Sequence, residues 1–530
     1  MIYALKLLAV VFTVACIAAY LFRSAFRELF TQAEYRRIWM LVLAGVVASY
    51  LCTFQSLFML AVAIIAIAGA SLTGRGPVGK VAVYLLLACT LPPVSLALGG
   101  IGGINYILNL DHIRVAALVL LTWAAVELPS LKPVRRSVSF LWIDLLVVGY
   151  QCLKFALAMP HSTGTTLLRL LVEATLDILL PYFVVTRSIR TLSDARFAIG
   201  HLFIGLVFVA SVGVAETVIQ HNVYSGLQSI YDVRWQQTYA LMRGSLLRVQ
   251  ATTQQPIILA FMLLFALALG YWLNGARWRR PSVVALFATI VATLVATFSR
   301  GPWLAAALIV MSILAMQRIP ARAFRVLLVL VILGGVGLKI AGADQQVVAA
   351  LGAIFGSQEA DLSSIEYRRQ LLDTSLALIQ QSPWLGVPNY AAQMQSLKQG
   401  EGIIDVVNSY LGIMLDSGVV GLAIYLLPFV IVLNRLISVI RLGEGQRLDE
   451  ASRFAVAMVA LILGCLFAIF TTSTWGVMTL LMTMLLALPT AWLGLSPAER
   501  NAEDARADLE LDIPVDPIPN RQIPLGGGVR

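Results

Sequence analysis

Long apolar runs alternate with short polar connectors along nearly the whole chain, and each run has the length needed to cross a hydrocarbon core of about 30 Å. They predict spans near 2–22, 38–54, 55–72, 81–100, 115–129, 138–157, 166–186, 197–217, 256–274, 282–298, 302–316, 326–341, 410–434, 454–472 and 475–495. The expected fold is therefore all-α, a polytopic membrane protein with about 12 to 15 transmembrane helices. Only "CTFQS" divides the pair at 38–72. Residues 2–22 are too long and too apolar for a cleavable signal. Two long connectors, 218–255 and 342–408, interrupt the rhythm, and the tail 496–530 turns polar, acidic and proline-rich, as disordered segments do. The chain thus divides into N-terminal helices (1–165), a central membrane region (166–341), a large loop (342–408), C-terminal helices (409–495) and a tail (496–530).

Composition agrees with the pattern, since 59% of residues are hydrophobic, 12% are charged and the mean hydropathy is +0.85. The net charge of +10 reads as topology, because the basic residues sit in short connectors such as 132–136, 277–280 and 318–325. By the positive-inside rule those connectors are cytoplasmic, which leaves 160–166, 218–255 and 342–408 outside. Nucleic acid is excluded as a partner, since no continuous basic face with interleaved aromatics exists. All five cysteines fall in apolar segments and the four histidines are scattered, so no metal or other cofactor is expected.

Inside the large loop, "EYRRQLLDTSLALIQQSPWLGVP" places Leu371, Leu372, Leu376, Ile379 and Trp384 around a helix that ends before Pro383. The expectation is an amphipathic helix along the outer membrane surface. Three outer segments carry arginines. Arg300 interrupts "ATFSRGPWL", where Gly301 and Pro302 fix a tight turn; a snorkelling helix-end arginine is the other reading. Arg243 and Arg248 lie in "LMRGSLLRVQ", and their guanidinium forks suit phosphate oxygens, although a solvated basic loop fits equally. Arg368 and Glu366 open the loop helix, where Arg369 has Asp373 four residues on as a partner.

At the end of the loop "DVVNSYLGIMLDSGVVGL" sets Asp405, Asn408, Ser409 and Tyr410 against the mouth of an apolar helix. This lip, the upstream "SRGPWL", the "RGSLLRVQATTQQPI" before a span and "YRRQLLDTSLALIQQSPWLGVP" occur in this order, and over about residues 170–490 the chain resembles the O-antigen ligase and polymerase family of membrane glycosyltransferases. The resemblance implies a GT-C-like fold in a bacterial inner membrane, with the active site facing the periplasm. It implies transfer or polymerisation of an undecaprenyl-diphosphate-linked oligosaccharide onto a glycan acceptor, inverting and metal-independent, with a flippase and chain-length regulators as further partners. By position, Arg300, Arg243, Arg248 and Arg368 resemble the diphosphate-binding arginines, and Asn408 and Tyr410 the polar lip beside the reacting sugar.

The chain departs from the family where its ligases carry a histidine, because Val407 stands there. Another group must then take the acceptor's proton. Asp405 is the nearest carboxylate and is equally suited to cap a helix; Glu366 and Glu401 come next. The departure favours a polymerase over a ligase to lipid A core. "HNVYSG" at 221–226 is a chance imitation of the histidine motif. A transporter or flippase is the rival from another class. Arg169, Glu173 and Asp177 recur every four residues along one span, with Asp144 and Lys154 in the preceding one, and such a ladder marks either a proton path or a set of packing ion pairs.

Overall fold

The computed structural model describes every residue except 1, 100–105, 131–137, 232–240, 244–245, 278, 318–357, 399–403, 405, 443–448 and 496–530. The expected span at 326–341 and the tail therefore lie outside the described residues. Helices α1 (Ile2–Leu21), α2 (Gln32–Leu51), α3 (Gln55–Thr73) and α4 (Gly76–Thr90) lead into a hairpin of β1 (Ser95–Gly99) and β2 (Tyr106–Asp111). There follow α5 (His112–Ser130), α6 (Val138–His161), α7 (164–188) and α8 (Leu192–Ile219). After the first long connector come α9 (Pro256–Asn274), α10 (Pro281–Ala296) and α11 (Arg300–Met316). The large loop contains α12 (Gln358–Gln381), and α13 (Ser409–Leu442), α14 (Glu450–Ala468) and α15 (Val477–Leu493) complete the bundle. Among the described residues eight helices are long and apolar enough to cross a membrane, with four shorter apolar ones beside them. The chain is an all-α, multi-pass membrane protein.

Local chemistry sets the boundaries. Thr31 with Glu34, and Thr191 with Asp194, form capping boxes that open α2 and α8. Pro256 and Pro281 occupy first helical positions, where a missing N–H leaves no bond unmade. The span expected over 81–100 ends earlier, at Thr90, because Pro92 and Pro93 follow and cannot continue the helix. The apolar "SLALG" beyond them pairs instead as β1, with Ser95 opposite Asp111.

Most of α8, α9 and α14 is buried, so these form the bundle centre, whereas only 22% of α6 and of α13 is buried, as suits helices at the lipid-facing rim. Helix polarity is fixed by two unlike ends. At one end Arg196 pairs with Glu450, and Glu28 receives both Arg277 (3.0 Å) and Arg280 (3.1 Å). At the other end Arg243 and Arg248 bond to residues 297–299, and Ser409 bonds to Ile469 and Thr472. The predicted outer residues that are described belong to this second end.

The loop helix α12 stops at Gln381, two residues before Pro383, as expected. Its Leu371, Leu378 and Ile379 pack with Met394, Leu397, Val406, Leu411 and Leu415 in a small second core, while Leu372, Leu376 and Trp384 face outward. The loop is thereby anchored on the first turns of α13.

Candidate functional site

Two of the predicted arginines meet on one turn. Glu216, near the end of α8, is buried and accepts the backbone N–H groups of Val223 (3.0 Å), Gln250 (2.8 Å) and Ala251 (2.9 Å). One carboxylate thus folds the connector back onto the bundle. Just upstream, the short pair β3 (Met242–Arg243) and β4 (Leu246–Leu247) sets Arg243 and Arg248 side by side. Between α10 and α11, Phe298 holds a left-handed conformation (φ 49°) that turns neighbouring carbonyls toward them. Arg243 Nη1 donates to Phe298 O (3.0 Å), and Arg248 donates from Nε to Thr297 O (3.1 Å) and from Nη2 to Ser299 Oγ (3.3 Å). Arg300, exposed, begins the next helix.

Arg248 binds neutral oxygens, so these bonds leave its charge uncompensated. Burial, with the Arg243 charge added, pulls Arg248 down to about 10. An anion relieves that cost and finds fork-shaped donors already oriented.

A four-residue strip joins this turn to the lip of α13. A Cβ on Gly301 would sit 2.1 Å from Thr471 Oγ1, so α11 and the strip are in direct contact there. The next residue, Thr472, accepts from Ser409 through N (3.2 Å) and Oγ (2.8 Å). Ser473 and Thr474 then line a cavity of about 390 Å³ between α6, α7, α13 and α15. Three Cα–Cα steps from Thr471 to Thr474 span at most about 11 Å. The part of the cavity further from the loop is mainly apolar, with Val147, Ile178, Phe429 and Leu486 beside Tyr182, Tyr425 and Thr483; the part nearer the loop holds Tyr390, Lys154 from α6, and Ser409 and Asp416 from α13. Burial and the nearby Asp416 carboxylate push the Tyr390 phenol up to about 12, so it stays a hydrogen-bond donor at neutral pH.

The other predicted residues are placed as follows. Asn408 is the cap of α13: its Oδ1 accepts from Tyr410 N (2.9 Å) and Leu411 N (3.3 Å). The capping role open to Asp405 thus falls to Asn408. Tyr410 OH donates to Leu466 O (2.6 Å), tying α13 to α14. Asp405 lies outside the described residues, as do Glu401 and the side chains of Glu366 and Arg368 on α12. The ladder's three carboxylates are engaged in ion pairs. Arg114 holds Asp177 at 2.7 Å and Glu173 at 3.3 Å, and Asp144 receives Arg187 at 2.7 Å and Tyr182 OH at 2.9 Å.

Sequence pattern does not single out Asp416 or Tyr390, which share the cavity. Asp416 sits inside an apolar run, and the signal available was the "DSG" at which the helix breaks.

A family model described as O-antigen ligase matches residues 285–426. The match takes in α10, α11, the described part of the large loop and the broken first half of α13, and so includes Arg300, Gly301, Tyr390, Asn408 and Asp416. No curated protein matches the chain.

Proposed function

We propose, from the match of residues 285–426 to a family model described as O-antigen ligase, that this chain is a membrane glycosyltransferase of that kind and polymerises oligosaccharide repeats carried on undecaprenyl diphosphate at the periplasmic face of a bacterial inner membrane. The observation that carries the reading is the convergence of Arg243 and Arg248 on the three residues before Arg300, at the bundle end opposite the Glu28 ionic network and within one short strip of an amphipathic cavity.

A membrane-anchored diphosphate needs cationic donors at the interface and an adjoining space whose walls pass from polar to apolar. In this reading Arg243, Arg248 and Arg300 hold the diphosphate, joined by Arg368 from the loop. Asn408 and Tyr410 act by setting the lip of α13 beside the sugar. The acceptor hydroxyl attacks the anomeric carbon, the bond from that carbon to the diphosphate oxygen breaks, and the lipid diphosphate departs with the electron pair, so configuration inverts. The arginines stabilise the charge that develops on the leaving group.

Ligation to lipid A core is the second reading, favoured by the description of the matched family; Val407 in place of the motif histidine favours polymerisation. Gels of lipid-linked and surface polysaccharide from a strain deleted for this chain decide between them. Single repeats on the carrier are expected. Full-length chains stranded on lipid carrier would establish the ligase, and unchanged surface polysaccharide would refute both.

A further inference from the structure

We infer that Asp416 is the group that takes the proton from the acceptor hydroxyl, an assignment that rests on the transferase reading above. Asp416 is the one carboxylate among the described residues lining the large cavity. Its neighbours in the membrane are otherwise occupied: Asp144 and Asp177 are held by arginines, and Glu216 is filled by three backbone N–H groups. Asp416 makes no hydrogen bond and no ion pair within 4 Å with any described residue. Its electrostatic partner is the Lys154 ammonium, which lines the same cavity from α6.

An ionised carboxylate open to a cavity is costly unless something enters to use it. A hydroxyl does so as a donor, and Tyr390 supplies a further donor beside it. Position is fixed as well as chemistry. Asp416 lies two residues before the break at Gly418, where Val387 N donates to Leu415 O (2.7 Å), Val419 N to Pro383 O (2.9 Å) and Val420 N to Trp384 O (3.2 Å). The loop thus clamps the backbone on both sides of the carboxylate, the preorganisation that a general base requires.

The step balances without a further reactant. The acceptor O–H proton passes to a carboxylate oxygen of Asp416, the oxygen's electron pair forms the bond to the anomeric carbon, and the lipid diphosphate leaves with the electrons of the broken bond. None of the described histidines lines the cavity.

The test uses the purified full-length protein in lipid nanodiscs. Undecaprenyl diphosphate is the binding probe, and the lipid-linked oligosaccharide that accumulates in a strain lacking this chain is the transfer substrate. Asp416→Asn is expected to lower kcat by about 100-fold or more while undecaprenyl diphosphate binding stays within about twofold. Asp416→Ala is expected to fall equally and to regain activity with added formate, a response that a structural role does not give. A kcat for Asp416→Asn within about threefold of the parent overturns the inference, as does loss of binding in step with transfer. Loss of transfer in Asp405→Asn with Asp416→Asn active moves the base to the lip. Failure of both Asp416 variants to fold would make the residue structural and overturn the inference. If the unsubstituted protein neither binds the probe nor transfers, the transferase reading itself falls; transfer by the parent with an active Asp416→Asn sinks only the assignment of the base.

Discussion

Gly386 and Gly418 meet backbone to backbone: a Cβ on Gly386 would lie 2.7 Å from the Gly418 nitrogen, and one on Gly418 would lie 2.3 Å from the Trp384 carbonyl carbon. Both hold positive φ, 73° and 63°, which a side chain would strain even without the contact. Together they let the loop strand 383–387 enter the break in α13 and satisfy backbone groups that a broken helix leaves open.

Gly418→Ala is therefore expected to dislodge the loop, costing more than about 2 kcal/mol and reducing transfer in proportion to the folded fraction. Gly412→Ala, one turn into the same helix with open space around its Cα, is expected to be neutral. Thermal unfolding of the two variants side by side measures the difference. Equal midpoints would show that the clamp does not hold the helix open.

The spans were legible because lipid admits few backbone solutions: some 20 apolar residues in a row have almost no alternative to a helix. The end of α12 was legible for the same kind of reason, since Pro383 rules out its continuation. "SLALG" after Pro93 forms a strand where a span is expected, because a short apolar run carries no period that separates strand from helix. Connector charge alone predicts one membrane side for the arginines, but their meeting on residues 297–299 depends on Glu216, a carboxylate near the end of an apolar helix whose three backbone partners lie up to 35 residues away. Asp416 was hidden by its own surroundings, since pattern alone gives no means of separating a carboxylate that faces a cavity from one that pairs, as Asp144 does.

Undecaprenyl diphosphate affinity should depend on pH through Arg248. Burial and Arg243 hold this guanidinium down to about 10, so it is charged below that pH and loses its proton above it. Binding needs the charge. Affinity is expected to be flat from about pH 8 to 9.5 and to fall by about tenfold per unit once Arg248 deprotonates. The stability contribution has the opposite sign: the buried, charged arginine burdens the empty fold below pH 10, and the burden lifts as pH rises through that value. Added undecaprenyl diphosphate should accordingly raise the unfolding temperature at neutral pH and lose this effect in Arg248→Met. Titrations of the nanodisc protein across this range check both, and a pH-independent affinity would remove Arg248 from the site.

The contact between Gly301 and Thr471 couples the arginine turn to the cavity. A methyl group at Gly301 cannot fit while Thr471 keeps its hydroxyl, so Gly301→Ala should push the 471–474 strip away from α11 and lower kcat/KM about tenfold or more. Thr471→Ala removes the obstructing atoms. The double variant is expected to recover most of the loss, giving an interaction energy of about 1 kcal/mol or more in a double-mutant cycle. Additive effects would mean that the strip transmits nothing between the two regions.

The Arg114, Glu173 and Asp177 group separates the enzyme from a transporter. In the structure Arg114 grips Asp177 through Nε (2.9 Å) and Nη2 (2.7 Å), and these side chains are mostly withdrawn from solvent. A carboxylate so held ties helices together; a proton carrier must release its partner in each cycle. Asp177→Asn is therefore expected to lower stability by about 3 kcal/mol, the cost of leaving a buried cation with a weaker partner, softened by the Glu173 contact that remains. The folded protein should transfer oligosaccharide within about threefold of the parent rate. Unfolding midpoints and turnover measured on the same preparation separate the two cases: a variant as stable as the parent but inactive would identify the ladder as a working proton path and return the transporter to first place.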